Sequence, residues 1–78
     1  MSFLKGEKQM EKLLEKYDAI SALIFVGKEP TKEDYEQLRV LATNVNKNSK
    51  TVEFDVNGSN SELLDSIKQY IRAALERD

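Results

Sequence analysis

Apolar side chains recur at three- and four-residue intervals through the first third of the chain, at Met10, Leu13, Leu14, Tyr17, Ile20 and Ile24. This spacing places them along one side of an amphipathic helix that begins near Glu7. Lys8, Lys12 and Lys16 share the other face with Glu7, Glu11 and Glu15. Lys8–Glu11 and Lys12–Glu15 stand one turn apart, and each such pair adds about 0.2–0.5 kcal/mol. That face reads as a solvated surface neutralised by its own glutamates. After Asp18 the pattern changes, because Ala19 to Val26 is apolar nearly all round. A run of this length suits a covered helix end or a buried strand. Gly27, followed three residues later by Pro30, is a helix stop and favours a helix reaching about Phe25.

A second helix starts at Thr31, whose hydroxyl and the Asp34 carboxylate are spaced as a capping pair. Glu33, Asp34 and Glu36 suit the positive end of its dipole. Tyr35, Leu38, Leu41, Ala42 and Val45 form its apolar stripe and Val40 lies off it. Asn44, Asn46 and Asn48 read as its end, since Asn is a poor helix former that tolerates turns. The last helix opens on Ser59-Asn-Ser-Glu62, a capping-box pattern. Leu63, Leu64, Ile67, Tyr70, Ile71, Ala74 and Leu75 then give the cleanest helical stripe in the chain.

Between these two helices the period drops to two. Val52, Phe54 and Val56 face one way, while Thr51, Glu53 and Asp55 face the other. That alternation predicts a half-buried β-strand. The expected fold class is therefore mostly α (small α+β), with three helices and one short strand between the second and third. Residues 1–78 are expected to form a single domain, with 1–6 as an N-terminal tail in which Phe3 and Leu4 are a candidate apolar anchor.

One strand leaves its own backbone groups unpaired. Four arrangements would satisfy them. Ser21 to Val26 would form a second, parallel strand. A twofold copy would pair antiparallel in a homodimer. The edge would receive a strand of another protein. Or the segment is an extended loop over the helices, with Val52, Phe54 and Val56 plugging the core.

Composition narrows the chemistry. The chain lacks Cys and His, which removes the common zinc sites and the thiol and imidazole catalysts. Twelve basic residues against fourteen acidic ones give a net charge of −2, a balance that argues against general nucleic-acid binding. The longest apolar run falls far short of the roughly 20 residues of a membrane span. Met1 to Gly6 is too short for a signal peptide and lacks the second-position Gly of a myristoylation site, so neither is expected. The absence of Cys fits a reducing compartment, so a cytoplasmic setting is expected.

No motif names a reaction. Asp55, Asn57, Ser59 and Ser61 alternate as calcium-loop ligands do, but Asn60 and Ser66 stand where such a loop needs Gly and a bidentate Glu. Asp65-Ser66 resembles the attachment site of acyl carrier proteins, yet Ser66 falls inside the final helix. Asn57-Gly58-Ser59 is formally a glycosylation sequon and reads as a turn. The helical, mildly acidic character loosely resembles colicin-type immunity proteins. Their paired tyrosines and following proline have no counterpart between Asn46 and Ser59, so no residue role carries over.

The expected function is a small non-catalytic protein–protein interaction module, an inhibitor or regulator of a bacterial or phage partner, with no cofactor and no metal. Its expected partner-binding residues are Leu23, Phe25, Val26, Glu53, Phe54 and Asp55. The alternatives are a self-assembling structural or regulatory homodimer, and a small-ligand or nucleic-acid binder working through the Lys8/Lys12/Lys16 face.

Overall fold

The computed structural model of the chain describes residues 5–76, with side-chain surroundings from Lys8 onward. The described residues contain three helices, α1 (Lys5–Phe25), α2 (Lys32–Asn48) and α3 (Asn60–Glu76). The mostly helical class expected from the periodicity is what the chain adopts. Met1 to Leu4, including the candidate anchor at Phe3 and Leu4, lie outside the described residues.

Helix α1 runs straight through Ala19–Phe25, so the apolar run is helix and not strand. Its end is built by hydrogen bonding. The Lys28 N–H donates to the Leu23 carbonyl at 2.8 Å and the Gly27 N–H to the Ile24 carbonyl at 3.0 Å. This is a Schellman arrangement, and it requires the left-handed conformation found at Gly27, where φ is +84°. The chain then turns back over a buried Pro30.

The capping pair of α2 is made in both directions. Asp34 N–H donates to Thr31 Oγ1 at 3.1 Å, and Thr31 N–H donates to Asp34 Oδ2 at 3.0 Å. The other carboxylate oxygen receives Lys16 Nζ from α1 at 3.1 Å. Lys16 is thus engaged across the helix pair, which corrects the expectation of a face neutralised within α1 at that one lysine; Lys8 and Lys12 are exposed.

The Thr31 backbone N–H, and after it the Lys16 ammonium, hold the Asp34 carboxyl below its ordinary value of 3.8. A depressed carboxyl stabilises the fold above its unfolded pKa, and that contribution fades as pH falls through the lowered folded value. Thermal melts from about pH 6 down to about pH 2 should therefore show the wild type losing stability more steeply than Asp34→Asn. Parallel acid limbs for the two proteins would remove this role from Asp34.

The core draws on every helix. Leu13 and Ile20 of α1, Leu38, Ala42 and Val45 of α2, and Leu63 and Ile67 of α3 are buried together. Fully burying an aliphatic side chain of this size contributes about 1.5–3 kcal/mol. The eighth member is Phe54, 2% exposed, from the connection between α2 and α3. Its ring meets Tyr70 edge-on, with centroids 5.7 Å apart and planes at 82°. Val52 and Val56 pack beside it, half-buried.

The expected strand at Thr51–Val56 is not formed; among the described residues there is no β-strand. The segment is extended, and its alternation is that of an extended loop laid over the helices with one face in the core. Several of its backbone groups are satisfied by side chains. Asn46 Oδ1 accepts the Phe54 N–H at 2.8 Å while Asn46 Nδ2 donates to the Phe54 carbonyl at 2.8 Å. These are the two bonds that a facing residue in an antiparallel ladder would exchange.

Two turns earlier on α2, Arg39 donates to the carbonyls of Val56 and Gly58 and to Asn60 Oδ1. From α3, Ser66 Oγ accepts the Asp55 N–H at 3.1 Å. Of the arrangements weighed for this segment, an internal pair with Ser21–Val26 is ruled out by the helix there. The asparagine run marks the end of α2 as expected, since the helix runs to Asn48 and is capped at Ser49.

Candidate functional site

Two surfaces stand out from the packed body. The first is the end of α1. Phe25 is 91% exposed, Val26 64% and Ile24 47%. A Schellman end is usually sealed by an apolar contact between the residue after the glycine and the one three positions before the cap. Here those positions hold Lys28 and Leu23, so an ammonium side chain stands where the apolar lid would be. Leu23 is half-buried and the three residues after it are left open to solvent.

The second surface is a groove of about 540 Å³ between the extended segment and α3. Its walls carry the carboxylates of Glu53, Asp55, Glu62 and Asp65, with Thr51, Ser66, Gln69 and Tyr70 between them, and no Lys or Arg lines it. Three of these carboxylates are oriented from within the chain. Asp55 Oδ1 accepts the Gly58 N–H at 3.1 Å and Glu62 Oε1 the Ser59 N–H at 2.7 Å. Asp65 Oδ2 accepts Gln69 Nε2 at 2.9 Å. The Glu62 contact is one half of the capping box of α3, whose other half is Glu62 N–H donating to Ser59 Oγ at 3.2 Å. An adjoining recess of about 300 Å³ shares Thr51, Val52 and Tyr70 with the groove and adds Ala73 and Ala74.

The structure divides the expected partner-binding residues. Leu23, Phe25 and Val26 stand together at the end of α1, and Glu53 and Asp55 stand exposed on the groove wall. Phe54 does not join either group, because its side chain fills the core. The reason is the pleat: alternate residues of an extended segment face opposite ways, so the face that carries Phe54 inward carries Glu53 and Asp55 outward. Glu62, Asp65, Gln69 and Tyr70 share one side of α3 at three- and four-residue spacing, but the sequence alone reads Glu62 as the cap and Tyr70 as part of the apolar stripe and does not join them to residues 51–55.

The chemistry-bearing motifs resolve into structural parts. Ser66 accepts a backbone N–H, and Asp55 with Ser59 organises the turn at Asn57-Gly58. Among the described residues, no group of three or more Asp or Glu side chains is placed to hold a metal ion. Among them also, no helix is long and apolar enough to cross a membrane. No protein-family model, curated protein or solved structure matches this chain.

Proposed function

We propose that this protein acts by binding another protein, as a small non-catalytic interaction module that inhibits or regulates its partner by occupying a surface. The observation that carries this reading is the open end of α1, where Phe25 stands 91% exposed beside Val26 and Ile24. A large aromatic side chain is the residue type that most often anchors a protein interface, and contiguous exposed apolar side chains mark such surfaces. The helix geometry makes the anchor rigid: the Gly27 turn and its two hydrogen bonds fix the last turn of α1. A preorganised anchor loses less freedom on binding than a mobile one. The cytoplasmic setting expected from the sequence belongs to this proposal.

The test replaces Phe25 with a photo-crosslinking phenylalanine analogue in the source cells. Cross-linking to one distinct protein supports the module, and cross-linking to a second copy of the chain transfers the surface to a homodimer. A monomer by light scattering with no cross-linked product would end the proposal. Phe25→Lys is expected to abolish the cross-linked complex while changing stability by no more than about 0.5 kcal/mol, as for an exposed site. A large loss of stability in that variant would show that Phe25 is packed within the chain.

A further inference from the structure

We infer that Asn57-Gly58 is a covalent modification site, which loses ammonia through a cyclic imide and becomes aspartate or isoaspartate, and that the Asp55 carboxylate restrains it. The pair lies on the connection between α2 and α3, away from the end of α1, so it stands independently of the anchor at Phe25.

The dipeptide is the first argument. Asparagine is a thermally labile residue, because its amide carbon lies within five-membered-ring reach of the next backbone nitrogen. A Cβ on the next residue crowds that approach, and glycine has none. Of the chain's five asparagines only Asn57 precedes a glycine. Asn44, Asn46, Asn48 and Asn60 are all held within helices, whereas Asn57 lies outside them and is exposed to water. The fold itself requires the glycine. A Cβ at position 58 would collide with Glu62 Oε1, the oxygen that accepts the Ser59 N–H in the capping box of α3.

The surroundings of the attacking atom are the second argument. The Gly58 N–H donates to Asp55 Oδ1 at 3.1 Å, and that proton must leave before the nitrogen can attack. A hydrogen bond made by the neutral N–H, and a negative charge beside it, both disfavour the ionised nitrogen. Arg39 holds the carbonyls of Val56 and Gly58, which fixes the backbone on either side of Asn57. The folded chain therefore reacts more slowly than the same residues unfolded.

The steps balance with water alone. Hydroxide takes the Gly58 proton, and the nitrogen bonds to Asn57 Cγ. The Cγ–Nδ2 bond breaks, and ammonia leaves with a proton from water. Water then opens the imide. Cleavage between the ring nitrogen and Cγ gives aspartate; cleavage at the main-chain carbonyl gives isoaspartate, with the backbone routed through Cγ. Nothing is oxidised or reduced. Isoaspartate inserts a methylene between the Val56 and Gly58 carbonyls, the two that Arg39 binds together. Either product adds a negative charge close to Asp55. The modification is thus a slow, one-way loosening of the segment that carries Phe54 into the core.

The experiment keeps the full chain in warm, mildly alkaline buffer, with and without guanidinium chloride, and follows each asparagine by peptide-mapping mass spectrometry. A gain of one mass unit is expected at Asn57 and not at the other four. The product should accept a methyl group from an isoaspartyl methyltransferase. Conversion of the folded chain should be at least about fivefold slower than in denaturant, the rate ratio that corresponds to one net hydrogen bond of about 1 kcal/mol. Asp55→Ala is expected to recover that factor in the folded chain. Asp55→Asn keeps an acceptor without the charge and should fall between. Converted protein should unfold at lower urea than fresh protein.

No gain at Asn57 in denaturant, or gains spread over several asparagines, would overturn the site. Equal rates for wild type and a helical Asp55→Ala would overturn the part given to Asp55. If that variant loses its helical circular dichroism, hydrogen exchange of the Gly58 amide in the unaltered chain decides: slowing of at least about fivefold supports the restraint, and exchange as fast as in an unfolded chain overturns it. Equal urea midpoints for fresh and converted protein would overturn the loosening.

Discussion

Phe54→Ala is expected to remove a large share of the protein's stability. The side chain is 2% exposed and packs with residues of all three helices. Emptying such a site costs about 3–5 kcal/mol. The edge-on contact with Tyr70 is lost with it, and aromatic pairs of this kind add about 0.5–1.5 kcal/mol beyond their buried area. A chain of this length is stable by only roughly 4–12 kcal/mol, so the loss is a large share of the whole. Urea titration followed by helical circular dichroism measures it directly. A loss below about 1 kcal/mol would mean that the ring does not fill the core as described. The same argument governs how binding experiments are read: a charged residue at position 54 would abolish an interaction by abolishing the fold, whereas the same change at Phe25 acts on the surface alone.

Asn46→Ala is expected to cost about 2–4 kcal/mol, since it strips the partners from both the N–H and the carbonyl of Phe54 in a half-buried setting. Asn46→Asp separates the two bonds. It keeps an acceptor for the N–H, but sets a carboxylate against the carbonyl that Nδ2 now serves. Facing a carbonyl oxygen raises the pKa of that new carboxyl. Its ionised form is the destabilising one, so the stability gap to wild type should be widest near neutral pH. The gap should narrow as pH falls through the raised value. Urea midpoints at about pH 7 and about pH 4 test this. A gap independent of pH would show that the donor half of the amide contributes nothing.

Much of the helical framework was legible because helix periodicity and end signals are local. The stripes of α1, α2 and α3, the stop at Gly27 and both capping pairs appear in the structure where the residues suggested them, except that Ile24, Ala74 and Leu75 at the stripe ends are exposed. The alternation at Thr51–Val56 was also local, and it correctly separated the inward Phe54 from the outward Glu53 and Asp55. Period two reports an extended backbone with two unlike faces; it does not report what satisfies the backbone.

That information lay in Asn46, Arg39 and Ser66; read one helix at a time, Asn46 is a helix end, Ser66 a misplaced serine, and Arg39 carries no signal. Their roles depend on which residues α2 and α3 bring opposite them. The same limit hid the groove. Glu53 and Asp55 were visible as a wet face, but Glu62 and Asp65 join them only once α3 folds back beside the segment.

The side-chain pins on the connecting segment also bear on how quickly the protein reaches its fold. They join positions 8 to 21 apart in the chain, and Lys16 reaches Asp34 across 18. Closing loops of such similar length is nearly uniform in entropy, since each doubling of a loop adds only about 0.6 kcal/mol. Contacts this local belong to the fast regime of helical proteins, folding in microseconds to milliseconds, while distant strand pairing is slower. Substituting one amide side chain for a neighbouring strand therefore turns a long-range pairing search into a short loop closure.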